Sequence, residues 1–167
     1  MPTAKDRFTN LMKKYWSKKI SQETLAVKYL GQFSTHDLIE ALEKTHSEKD
    51  AQSVKAIFHI GFTFNLFDAQ TVPILCTYLN VCWHNRHEDI AIILKELKAE
   101  SSIKPIITAI HRKCDYWYDD GDAFIRKCIY VLSAMNTQES LAQLKILSLD
   151  ANEIIKKYAE KELGKIR

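Results

Sequence analysis

Glycine and proline are scarce in this chain, with four and three copies among 167 residues. That leaves few positions for the tight turns of a sheet protein and suits helices joined by short connections. No apolar run reaches the length of a membrane span. Charges scattered through Met1–Lys19 leave no apolar stretch for a secretory leader. Glycine-rich phosphate loops, nucleophile elbows and metal-protease helices are absent as well. The four cysteines, Cys76, Cys82, Cys114 and Cys128, contain no Cys-x-x-Cys pair. Their irregular spacing implies reduced, partly buried thiols and therefore a cytoplasmic protein. At this length the expected organisation is a single domain, 1–167, large enough to bury a sizeable core.

A single sign of charge along the whole chain is missing too. The net charge is +3, but residues 1–20 contribute +5 and residues 156–167 contribute +3, leaving −5 for 21–155. Basic ends around an acidic middle do not suit a nucleic-acid surface running the length of the protein.

What the sequence does contain is helical periodicity. Apolar residues recur at i, i+3, i+4, i+7 in Phe8-Leu11-Met12-Tyr15, Ile103-Ile106-Ile107-Ile110 and Ile125-Cys128-Ile129-Leu132. Each set is one stripe of an amphipathic helix. Further stripes run through Leu38-Leu42, Val54-Phe62, Val72-Leu79, Ile90-Leu97, Leu141-Leu147 and Ile154-Leu163. Ser34-Thr-His-Asp37 and Ser47-Glu-Lys-Asp50 have the form of capping boxes, and Asn152 stands where an N-cap is needed. The expectation is an all-α protein of about ten helices. The first, basic amphipathic helix, about Lys5 to Lys18, reads as a terminal helix capping a core in preference to a membrane-surface helix, and no membrane partner is expected. Gly61, inside a helical pattern, points to close packing, since an exposed Gly there would cost roughly 1 kcal/mol.

The helices fall into pairs that resemble one another. Pro73 and Pro105 lie 32 residues apart in leading helices; Asp89 and Asp122 lie 33 apart at the second helices, and Asn152 follows after 30. Asp122-Ala-Phe-Ile125-Arg126 parallels Asn152-Glu-Ile-Ile155-Lys156. A leading-helix proline, a turn Asp and an aliphatic-basic step resemble the HEAT repeat, although these pairs are shorter than the roughly 40–47 residues usual there. The resemblance implies stacked antiparallel helix pairs in a short, curved HEAT-like α-solenoid, with 1–33 as N-terminal capping helices and 34–167 as about four pairs.

In such a stack the loops within successive pairs line up along one edge. That would set Trp83-His84-Asn85-Arg86-His87 beside Asp115-Tyr116-Trp117-Tyr118-Asp119-Asp120-Gly121-Asp122. Aromatics and Arg dominate interface hot spots, and a cluster of acids suits a basic partner. The candidate partner-binding residues are therefore Trp83, Arg86, Asp115, Tyr116, Trp117, Tyr118, Asp119, Asp120 and Asp122. The other use open to them is internal: Trp117 and one Tyr folding back on the helix ends, with Asp122 as a cap. Cys82, His84, His87 and Cys114 have the types of zinc ligands, but exposed histidines beside a buried thiol fit them better. No catalytic residue, metal or cofactor is assigned.

In size, class of fold and surface character the chain resembles small all-helical HEAT-like bacterial immunity proteins of contact-dependent inhibition systems. The resemblance implies an inhibitor that occludes a toxin domain, and where that toxin is a nuclease an acidic plug would fill its basic site. Two alternatives stand beside it. Trp83, Trp117, Arg86 and Asp115 match the residue types of HEAT-like alkylpurine DNA glycosylases, and a generic scaffold or adaptor subunit would have the same architecture. Nucleic acid is the less favoured partner on charge.

Overall fold

The amphipathic stripes become helices. A computed structural model describes residues 1–117 and 119–166, and the chain is all-α, with no strand among the described residues. The helices are α1 (Ala4–Trp16), α2 (Gln22–Lys28), α3 (Thr35–Glu48), α4 (Ala51–Thr63), α5 (Val72–Leu79), α6 (His87–Leu97), α7 (Ile103–Ile110), α8 (Asp122–Met135), α9 (Gln138–Leu147) and α10 (Glu153–Leu163). Short 3-10 turns, Ala69–Thr71 and Glu100–Ser102, lead into α5 and α7. No described helix is long and apolar enough to cross a membrane.

Local chemistry fixes most helix starts. Thr3, Ser34 and Thr137 form reciprocal capping boxes with Asp6, Asp37 and Ser140. Ser21, Asp50 and Asn152 accept from the first free backbone N–H groups of α2, α4 and α10. Each such cap contributes about 1 kcal/mol. Ser47 departs from expectation: it lies inside α3 and donates to the Lys44 carbonyl, and Asp50 alone caps α4. The chain turns between them at Lys49, which takes the left-handed conformation at φ 52°, as Lys98 and Asn136 do after α6 and α8. Pro73 and Pro105 sit in the first turns of α5 and α7, where a missing N–H costs nothing.

The chain divides into two compact units, Met1–Ile74 and Leu75–Arg167. In the first, α1 packs on both α3 and α4, which also pack on each other. The stripe Phe8, Leu11 and Met12 is buried, along with Leu38 and Leu42 of α3 and Val54, Ile57 and Phe58 of α4. The first helix thus serves this core through one face. Arg7 pairs with Asp37 and Lys5 with Glu48 and Asp50, tying α1 to α3 and to the α3–α4 turn.

In the second unit α6 packs on α8 and α8 on α10, while α7 and α9 each contact α8. The trailing helices of successive pairs therefore lie side by side, the order expected of stacked helix pairs. Their buried stripes (Ile90, Leu94; Ile125, Ile129, Leu132; Ile155, Ala159) form the core between them.

Gly61 of α4 confirms close packing: a Cβ there would sit 2.6 Å from the Phe67 ring and 3.3 Å from Leu38. Phe67 is wedged between Phe58 and Phe62, at ring separations of 5.5 and 5.2 Å. Gly61→Ala should lower unfolding stability by about 1–2 kcal/mol in chemical denaturation, because overpacking outweighs alanine's helix propensity. A stability gain would show that Phe67 moves aside freely.

Candidate partner-binding edge

The spacing of the repeats has a covalent consequence. Cys82, in the α5–α6 loop, and Cys114, in the α7–α8 loop, lie 32 residues apart and form a disulfide with Cα atoms 5.3 Å apart. The expectation of four reduced thiols is therefore corrected for this pair. Only Cys76 and Cys128 remain free, and burial pushes both thiols well above their usual range. Stacked pairs bring equivalent loop positions together, so two cysteines one repeat apart meet.

The loop that carries Cys82 also carries a buried polar cluster. His84 and His87 stack at 4.5 Å and are 3% and 1% exposed, which overturns their placement on the surface. His84 Nε2 donates to the Tyr78 carbonyl, and its Nδ1 accepts from the Arg86 backbone N–H. His87 Nε2 donates to the Val81 carbonyl, so Nδ1 is left to accept from the Tyr116 hydroxyl at 2.5 Å. All four ring nitrogens are thus engaged and both thiols are joined to each other. In this geometry the imidazoles hold the loop through hydrogen bonds and the two cysteines hold it through their covalent bond. Burial lowers the His87 pKa to about 4 and pushes the Tyr116 phenol up to about 12. Tyr116 is 39% exposed, but its hydroxyl is engaged by His87.

The other aromatics also face inward. Trp117 stacks on Phe124 at 5.1 Å, meets His87 edge-on at 5.7 Å, and covers Gly121, where a Cβ would be 3.0 Å from the indole. Gly121 itself has φ 80°, a conformation that favours glycine. Trp83 lies edge-on to Tyr78 and His84 at 5.4 and 5.1 Å. Arg86 pairs with Asp89 at 3.1 Å. Tyr118 lies outside the described residues.

The acids divide by role, though not as the sequence suggested. Asp119 is the residue that accepts from the Gly121 and Ala123 N–H groups at the start of α8. Asp122 instead accepts from the Tyr158 hydroxyl of α10 at 2.7 Å, which raises that phenol's pKa. Asp115 and Asp120 remain exposed. A further tie, His111 to Asp150 at 2.7 Å, joins the α7–α8 loop to the α9–α10 loop and raises the His111 pKa. Loops of successive pairs are thus stitched together along one edge, with aromatics packed inside and Arg112, Lys113, Asp115 and Asp120 exposed outside.

A groove outside the candidate residues lies on the adjoining helix faces. Ala91, Ile92 and Lys95 of α6 with Arg126, Lys127 and Tyr130 of α8 line an open groove of about 290 Å³. Ile92 is 43% exposed there. Lys127 pairs with Glu88 across the two helices. Ile92 and Tyr130 had no signal beyond falling off the main apolar stripe.

No family model matches the chain, and no curated protein or solved structure shows significant similarity to it.

Two outcomes follow from this geometry. Opening the 32-residue loop with Cys82→Ser and Cys114→Ser, or with a reductant, should cost roughly 3.5 kcal/mol of stability by loop-closure entropy. Denaturation curves that coincide with and without reductant would disprove it. His87 is neutral when folded and titrates near pH 6.5 when unfolded, so the unfolded chain binds the extra proton in between. Its contribution is complete above pH 6.5 and is lost as pH falls toward 4, up to about 3 kcal/mol. That slope should be present in the parent and missing from His87→Gln.

Proposed function

We propose that this chain is a protein-binding inhibitor of the immunity type, which neutralises a bacterial toxin domain with a basic surface by covering its active site. The observation that supports it best is the bracing of the edge. The Cys82–Cys114 bond, the Tyr116–His87 hydrogen bond, the Trp117–Phe124 stack and the Asp119 cap hold the loop that carries Asp115 and Asp120. A loop fixed before binding loses little entropy in the complex, and its exposed carboxylates steer a basic partner.

The glycosylase alternative draws less support. Its aromatics Trp83 and Trp117 are packed on Tyr78 and Phe124, and Arg86 is engaged by Asp89, so they do not converge on an open pocket. A cytoplasmic setting was expected from reduced thiols. A bond between Cys82 and Cys114 is instead at home in an oxidising compartment, and a toxin met outside the cytosol fits the proposal as well.

The test begins with the gene directly upstream. Its product should contain a domain that arrests growth when expressed alone, and this protein should restore growth and bind the domain in a stoichiometric complex. Failure of either result removes the proposal. Within the complex, Asp115→Asn with Asp120→Asn should slow association about three- to tenfold at low salt, an effect screened above roughly 0.1 M. Circular dichroism should stay unchanged, since Asn tolerates the φ of 53° at position 120. Asp119, Asp122 and Trp117 are unsuited to this test, because each also holds the fold.

A further inference from the structure

The last turn of α1 and the segment after it carry a surface that the core does not use. Lys13, Lys14, Trp16, Ser17 and Lys19 line an open concavity of about 580 Å³. Trp16 is 44% exposed, and the Lys55 ammonium lies 5.2 Å from its ring centroid. The neighbouring α2 segment exposes Val27 and Leu30 at 70% and 71%, and between them Tyr29 shares a second concavity with Asn10 and Lys14. Ion pairs in this unit engage Lys5, Arg7 and Lys44. Among the described residues none engages Lys13, Lys14, Lys18 or Lys19, and Glu23 is the one acid between Lys13 and Leu30.

We propose that this surface docks on an anionic lipid bilayer. Lysine ammoniums suit headgroup phosphates and carboxylates as point charges, and each one near an anionic leaflet adds to the attraction. An indole flanked by cations is the side chain that settles at headgroup depth, and the two aliphatics that α2 and the turn after it expose are otherwise left in water. Nucleic acid would use the lysines but offers nothing to Val27 and Leu30. Because Phe8, Leu11 and Met12 stay in the core, α1 docks by its outer end without leaving the fold.

The experiment is sedimentation of the full chain with phosphatidylcholine vesicles, with and without roughly 30 mol % phosphatidylserine. Binding should require the anionic lipid, weaken with salt, and shift tryptophan emission to the blue in the parent but not in Trp16→Phe. Lys13→Gln with Lys14→Gln should weaken it on the order of 30-fold. Val27→Ser with Leu30→Ser should also weaken it while leaving circular dichroism unchanged. Equal binding to neutral vesicles, no binding, or indifference to both double variants overturns the proposal. So does binding of a short DNA duplex through the same lysines with no affinity for vesicles.

Discussion

None of the described helices is long enough to persist alone. They range from 7 to 14 residues, near or below the length at which even favourable sequences are marginally helical in water. Each exists because one stripe is buried against a neighbour, and every other feature inherits its position from that packing. In the second unit this requirement ranks α6, α8 and α10 side by side and therefore carries their preceding loops to one edge.

Once the loops are adjacent, their polar groups must find partners or stay in water. The buried imidazoles are satisfied by carbonyls, a backbone N–H and a phenol, because an unpaired polar group in such a place costs about 1–3 kcal/mol. The aromatics that the sequence offers as adhesive are thereby drawn into the edge as its own core. On the α7–α8 loop the side chains facing outward are mostly charged, Arg112, Lys113, Asp115 and Asp120, while Leu149 of the α9–α10 loop and Ile92 on the α6–α8 groove are left as exposed apolar side chains.

The helices were legible because a 3.6-residue period survives in Ile103–Ile110 and Ile125–Leu132 without help from the rest of the chain. The adjacency of the two loops was legible as well, from the 32-residue interval between Pro73 and Pro105. The same interval separates Cys82 from Cys114, so the disulfide was signalled by the repeat itself, though by no cysteine motif. Side-chain direction was hidden. Trp117 turns inward because Gly121 offers a surface without a Cβ, and Asp119 displaces Asp122 as the cap because the chain enters α8 through a left-handed glycine. Ser47 shows the same limit: its spacing fitted a cap, but α3 ran on through it to Glu48.

The shortage of glycine has a lasting consequence. Among the described residues six with side chains, Lys18, Lys49, Asn65, Lys98, Asp120 and Asn136, occupy left-handed backbone conformations. For the three lysines the Cβ crowds the following carbonyl at a cost of roughly 1–2 kcal/mol each. Lys49 and Lys98 terminate helices, where the conformation is fixed by geometry and the residue type is not. The fold therefore operates below the stability its own backbone permits, with room for hardening at helix ends that touch neither the braced edge nor the basic face.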